Sequence, residues 1–354
     1  AGICGVNNLQ GNSDAYFHSA SINEMYTVIR RVSDCSVKTS NNNQVPTADA
    51  GLDYAIPKGT PFVLTGVGTD PDNDPITYLW EQLNNNNNTQ PPVSTATVGP
   101  IYRSFFPTSS PSRYFPKMSF ILANNLVPTW EVTPSVARSL SFSLLVNDNK
   151  ASGNQAARDV MAVTVADSGP FKVTSQTTNI PYNAANPLTI TWDVAGTTAA
   201  PVNTANVQIL LSKDNGANFN VVLAASVPNN GSAVVNLPNE DIASARIMVK
   251  AVDNIYFAVN SSFFSVTKFL AANETNVKSV SVYPNPAKHI VNVKLAKSES
   301  AKYTIYDVSG RLVSNGALAN DGIINVEKIT NGNYILTIEM KSGEQFTEQL
   351  LIKK

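Results

Sequence analysis

Four carboxylates offer the clearest site chemistry in this chain. Asp70, Asp72 and Asp74 alternate within Asp70-Pro71-Asp72-Asn73-Asp74. Three carboxylates at alternate positions beside a turn can aim oxygens at one hard cation, and Ca²⁺ takes about 6–8 oxygen ligands. Asp148, in Val146-Asn147-Asp148-Asn149, is placed to contribute from a neighbouring strand end. The competing reading is a solvated turn whose Asp and Asn side chains cap backbone amides. The stretch lacks the glycine and distal glutamate of an EF-hand loop, so any calcium here is expected to be a structural ion that neutralises adjacent charges.

A catalytic centre finds less support. His18 and His289 are the only histidines, and neither sits in a recognisable motif. The chain has no His-Glu-x-x-His pair, no Gly-x-Ser-x-Gly elbow and no glycine-rich phosphate loop. His18 reads as a loop residue before a helix, and His289 as a surface residue.

The elements around these residues are mostly strands. A chain of 354 residues predicts two or three domains. The hydrophobic share of 43% supplies real cores, while the charged share of 14% is well below the average of about 25%. Net charge is −1 with no basic block, so the electrostatic footprint of a nucleic-acid binder is missing. No stretch approaches the roughly 18 apolar residues of a membrane-spanning helix. In residues 1–35 a helix is expected to start near Ser19 or Ser21, where Ser21-Ile22-Asn23-Glu24 fits a capping box, and Ile22, Met25, Tyr26, Ile29 and Val32 recur at helical spacing. One amphipathic helix is not a domain, so this piece is expected to lack order of its own. After a polar linker at 36–45 the period changes to two. Tyr78 and Trp80, Leu140 to Val146, and Met161 to Val165 predict a β-sandwich over 46–167. Leu188, Ile190 and Trp192, then Val207 to Leu211 before Asn215-Gly216, predict a second over 170–266. A linker at 267–277 leads to a small β module over 278–354. The expected fold class is therefore all-β, two tandem immunoglobulin-like sandwiches and a small C-terminal one, preceded by a short helical segment. Trp80 and Trp192 read as core residues. The aromatic stretch Tyr102–Phe120 is either a recognition surface or a flap that covers a sandwich edge.

Val282-Tyr283-Pro284-Asn285-Pro286, Tyr303-Thr304-Ile305-Tyr306-Asp307-Val308-Ser309-Gly310-Arg311-Leu312, Asn331-Gly332-Asn333-Tyr334 and the closing Lys353-Lys354 appear in order over the last fifth of the chain. This series resembles the type A sorting domain of bacterial type IX secretion. The resemblance implies export to the cell surface or medium, recognition by the secretion machinery, and an N-terminal signal that Ala1 does not begin. Carried residue by residue, the signal comprises Pro284, Asn285, Pro286, Gly310, Arg311, Gly332, Tyr334, Lys353 and Lys354. Gly310 and Gly332 fit turns that require positive φ. In an exported protein the pair Cys4 and Cys35 favours a disulfide over a metal site, with free thiols the alternative.

Ala1-Gly2-Ile3-Cys4-Gly5, Tyr16-Phe17-His18-Ser19-Ala20-Ser21-Ile22 and the helix to Cys35 resemble the end of reprolysin-like (metzincin) zinc metallopeptidase domains. Ala48-Asp49-Ala50-Gly51, Ile56-Pro57-Lys58-Gly59 and the aspartate turn through Trp80-Glu81 resemble the immunoglobulin-like domain that follows such a domain, and equally polycystic-kidney-disease-type and cadherin-like modules. The resemblance implies zinc only in an upstream catalytic domain, with no catalytic residue in this chain. The expected function is thus the non-catalytic C-terminal region of a secreted zinc metallopeptidase, its sandwiches holding protein substrate or positioning the protease. The alternative is a non-enzymatic surface adhesion or binding protein exported by type IX secretion.

Overall fold

The computed structural model describes residue 5 and residues 8–31, 40–151, 153–269, 280–296, 300–319 and 322–354. Cys4, Cys35, residues 36–39 of the first expected linker and 270–277 of the second lie outside the described residues. The chain divides into two compact units, 1–269 and 270–354, and the described residues are almost entirely β, as expected; of their two α-helices, the N-terminal one was expected and the short one at 118–122 was not.

The first unit opens with α1 (Ser19–Arg31). Strands β1 (Thr47–Asp49), β2 (Tyr54–Pro57), β3 (Phe62–Thr65), β4 (Val67–Thr69), β5 (Thr77–Gln82) and β6 (Ser112–Phe115) follow, then a short α2 (Met118–Leu122), β7 (Arg138–Asn147) and β8 (Ala156–Ala166). The main sheet runs β2-β8-β7-β5, with β3 paired to β6 and β1 to β4. Alternation sets its inner face. Leu140, Phe142, Leu144 and Val146 of β7 are all 0% exposed. Burying each such side chain contributes about 1.5–3 kcal/mol. Phe62 stacks on Phe115 with centroids 5.0 Å apart, and Phe142 meets Phe115 at 4.9 Å. A Phe142→Ala cavity at this centre would cost about 3–5 kcal/mol.

The second sandwich comprises β9 (Lys172–Val173), β10 (Pro181–Asn183), β11 (Leu188–Asp193), β12 (Asn206–Ser212), β13 (Val221–Pro228), β14 (Ser232–Val235), β15 (Ile242–Ala251), β16 (Phe257–Val259) and β17 (Phe264–Thr267). One sheet runs β10-β17-β15-β12-β13 with β16 on β15; the other runs β14-β11-β9. Trp80 and Trp192 are core residues, and each indole N–H reaches a partner: Pro111 O at 2.9 Å and Asn229 Oδ1 at 2.8 Å.

These two sandwiches are fused rather than strung. Val63 and Ile121 of the first pack with Leu210, Met248 and Phe257 of the second in one buried cluster. Phe257 N donates to Pro61 O at 3.1 Å, and Val63 N to Ile255 O at 3.0 Å. The β12–β13 hairpin has Asn215 at φ 56° and Gly216 at φ 92°, the positive values its Asn-Gly pair predicts. A Cβ on Gly216 would lie 2.4 Å from Leu122 of α2, so the hairpin tip needs glycine for contact as well as conformation.

The second unit is itself a small sandwich. It contains β18 (Val280–Tyr283), β19 (Ile290–Leu295), β20 (Ala301–Asp307), β21 (Leu312–Leu318), β22 (Gly322–Asn325), β23 (Gly332–Met340) and β24 (Gln345–Ile352). Its sheets run β18-β19-β22 and β21-β20-β23-β24. Tyr334, Leu336, Ile338 and Met340 alternate into its own separate core.

Candidate functional site

The acidic turn forms as the spacing predicts. One carboxylate oxygen from each of Asp70, Asp72 and Asp74 lies within 4.8 Å of the others. Asp70 Oδ1 accepts the backbone N–H groups of Asp72 and Asp74, both at 2.9 Å. Asp72 accepts Gln44 N at 2.7 Å, and this backbone donor leads the causes that hold its carboxyl below the usual range. Lys150 Nζ pairs with Asp74 at 2.9 Å. Asp70 Oδ2 is buried without a hydrogen-bond partner, which leaves one oxygen for a cation. Asp148 is fully buried outside this cluster. Its oxygens accept N–H from Lys150, Gln155 and the Asn43 amide at 2.6–3.1 Å, so it braces the loop beside the cluster.

A second constellation has no motif in the sequence. Glu81 projects from the outer face of β5, and yet it is only 5% exposed. Residues 16–19 cover it. His18 Nδ1 bonds Glu81 Oε1, Ser19 N donates to Oε2 at 2.6 Å, and Ser104 Oγ donates to Oε1 at 2.8 Å. Tyr16 OH donates to Ser104 Oγ at 2.8 Å, and its ring packs edge-on to Phe106. The carboxylate thus takes up the first N–H of α1, the anion position that a helix start favours. The helix begins at Ser19, the earlier of the two expected starts, and its first N–H is taken by a carboxylate 62 residues away. The segment expected to lack order has an anchored start for this reason, although Met25, Tyr26, Val28 and Ile29 stay exposed. Burial pushes the Glu81 carboxyl up, but the His18, Ser19 and Ser104 donors together outweigh it and hold it below its usual value. The same bond to Glu81 raises His18 above 6.5 against partial burial. His18 and Ser104 both bond the same oxygen, Glu81 Oε1, so the group as built fastens residues 16–19 to the sandwich. One signal in the sequence could have revealed it: Leu79 and Glu81 share the outer face of β5, and an apolar outer residue asks for a cover.

The third constellation is the C-terminal series, and its geometry explains most of its residues as fasteners. Pro284 and Pro286 flank Asn285. Asn285 Nδ2 donates to Gln349 O at 2.7 Å, and its Oδ1 accepts Leu351 N at 2.9 Å. Ala287 N donates to Leu351 O at 2.8 Å, and Lys353 N to Ala287 O at 2.9 Å. Lys354 N donates to Asn331 Oδ1 at 2.9 Å. Asp307 accepts Ser309 Oγ at 2.6 Å and the Arg311 N and Nε at 3.1 and 3.0 Å. These donors, Ser309 foremost, push its carboxyl down to about 2. Gly310 has φ +82°, as expected. Gly332 does not: it starts β23 outside the left-handed region, and a Cβ there would only touch the Tyr334 ring at 3.5 Å. Tyr334 is buried, with its hydroxyl donating to Thr330 O at 2.9 Å. Arg311 stays largely exposed, at 81% of its side chain.

The aromatic stretch divides between both readings. Tyr102 and Phe115 enter the core, whereas Phe106 is 60% exposed beside an open cavity of about 390 Å³.

Comparison with known proteins accounts for one part of the chain. Residues 281–353 match the family described as "Secretion system C-terminal sorting domain". The protein therefore carries a type IX sorting signal and is secreted or held at the bacterial cell surface. No helix among the described residues is long and apolar enough to cross a membrane. No curated protein matches the chain. Among solved structures, it is similar to the FN1–FN3 domains of chicken CNTN1 at 10% identity, over 88% of this chain and 100% of that one, TM-score 0.18. It is similar to SGBP-B of the Bacteroides ovatus mixed-linkage glucan utilization locus at 12% identity, over 90% and 69%, TM-score 0.17. The BSP domain of a biofilm associated protein matches at 12% identity, over 96% and 71%, TM-score 0.22. At these values the likeness carries no argument about this chain.

Proposed function

We propose that this chain is the non-catalytic C-terminal region of a secreted zinc metallopeptidase, which holds protein substrate near the protease and delivers it through the sorting domain. The observation that carries the reading is the seat of α1. The segment that resembles the end of a metzincin domain is bonded to the first sandwich through His18, Ser19 and a buried Glu81. A domain ending in that helix would be held against the sandwich by these bonds. Peptide hydrolysis would then use a zinc-bound water upstream, and the sandwiches would supply binding and position. The acidic turn is proposed as a structural calcium site, with Asp70, Asp72 and Asp74 as ligands.

The test is made on the protein as its natural gene encodes it, purified from the medium or cell surface. Peptidase activity lost to a zinc chelator, and absent from the 354-residue chain alone, is the expected result. A natural product without zinc or peptidase activity would overturn it and leave the second reading, a surface binding protein. The open cavity beside Phe106 favours that second reading if no protease is attached.

A further inference from the structure

Phe105 is surrounded by cations. Lys117 Nζ lies 3.5 Å from its ring centroid, Arg113 Cζ 4.7 Å and Arg103 Cζ 5.0 Å. Among the described residues, one carboxylate answers this group: Glu131 pairs with Arg113 at 3.3 Å and accepts Lys117 N at 3.3 Å. Arg113 spends its terminal nitrogens on Trp80 O and Arg103 O, both at 2.6 Å, and on Glu131. Its Nε is buried without a partner. The Lys117 ammonium has no carboxylate within salt-bridge distance among the described residues. Burial, with Arg103 and Arg113 adding repulsion, pushes its pKa down.

The adjoining cavity of about 390 Å³ is walled by Tyr78, Phe106, Tyr114 and Met118, with Arg113 and Lys117 among its lining residues. Its serine and threonine hydroxyls are already engaged. Thr108 Oγ1 donates to Ser110 O, Ser110 Oγ to Ser112 O, and Ser112 Oγ shares a 2.8 Å bond with Thr65. A sugar ring would find few free polar partners here. An apolar group carrying one negative charge would find both an aromatic wall and an unanswered positive site.

We propose that this cavity binds an acidic peptide segment, with an Asp or Glu carboxylate at Lys117 and the neighbouring bulky apolar side chain against Phe106, Tyr114 and Met118. This refines the substrate-holding role above, and its test involves no hydrolysis, so the two can fail separately.

The experiment titrates the full chain with fluorescently labelled hexapeptides containing Asp-Phe or the isosteric Asn-Phe. The Asp peptide should bind about tenfold tighter, the discrimination expected of one charge-assisted contact. Lys117→Ala should abolish that preference, and Phe106→Ser should weaken both peptides several-fold. Both side chains are exposed, so neither change threatens the core. Raising salt to about 0.5 M should narrow the Asp preference. Equal affinity for the two peptides, indifference to both substitutions, or tighter binding of an oligouronate than of the Asp peptide would each overturn the proposal.

Discussion

Asn285→Ala separates a residue that fastens the sorting domain from one that is displayed for recognition. The side chain makes two hydrogen bonds, to Gln349 O at 2.7 Å and from Leu351 N at 2.9 Å, and both hold β24 to the segment after β18. Net contributions of about 0.5–1.5 kcal/mol per bond, taken low because Asn285 is exposed, give a loss of about 1–2 kcal/mol. In a domain of this size each kcal/mol moves the midpoint by about 4–8 °C. The sorting-domain transition in scanning calorimetry of the full chain should therefore fall by about 4–15 °C, with the transition of the first unit unchanged. Hydrogen exchange should show the matching local effect at the Leu351 amide. A midpoint within about 2 °C of the parent would refute the fastening argument. If export failed all the same, Asn285 would have to be read directly by the secretion machinery.

Other measurements reach the remaining constellations. His18 has a raised pKa, so its bond to Glu81 is fully present below about 6.5 and is lost as pH climbs through the raised value. Glu81 is lowered, so its share is lost as pH falls through a value below 4.5. Exchange protection of the first turn of α1 should accordingly peak between about pH 4.5 and 6.5, and a flat profile from pH 5 to 9 would refute the His18 contact. Calcium at 100 times its dissociation constant should stabilise the first unit by about 2.7 kcal/mol, and Asp72→Asn should blunt the response. An unchanged midpoint at millimolar calcium would remove the ion from the acidic turn. Gly216→Ala combines a strained φ with a clash at Leu122, and should cost about 1–3 kcal/mol by denaturant titration.

Strand periodicity made the cores legible. Leu140 to Val146 and Tyr334 to Met340 alternate in the sequence as they do across the inner faces of their sheets. The Asn215-Gly216 hairpin was equally plain, because few residue pairs tolerate two positive φ angles in succession. The seat of α1 was not legible, since it joins Ser19 to a carboxylate 62 residues away and no local pattern encodes that distance. Fusion of the two sandwiches was hidden for the same reason: Val63, Leu210 and Phe257 look like any strand residues until tertiary contact brings them together. Gly332 shows the opposite error. A glycine beside an asparagine invites a turn reading, but here it simply opens a strand.

The closure of the sorting domain makes the address self-authenticating. Residue 287 is paired with residue 352, and Asn285 with residues 349 and 351, so both margins of the module must be intact for either to hold its place. A protease that nicks or trims β24 strips β23 of its neighbour along eight paired residues. It also removes the partners of the Pro-Asn-Pro segment. Damage to the label thus erases the whole label and not one letter of it. Cargo trimmed at its C-terminus should therefore lose the fold of its signal along with the missing strand.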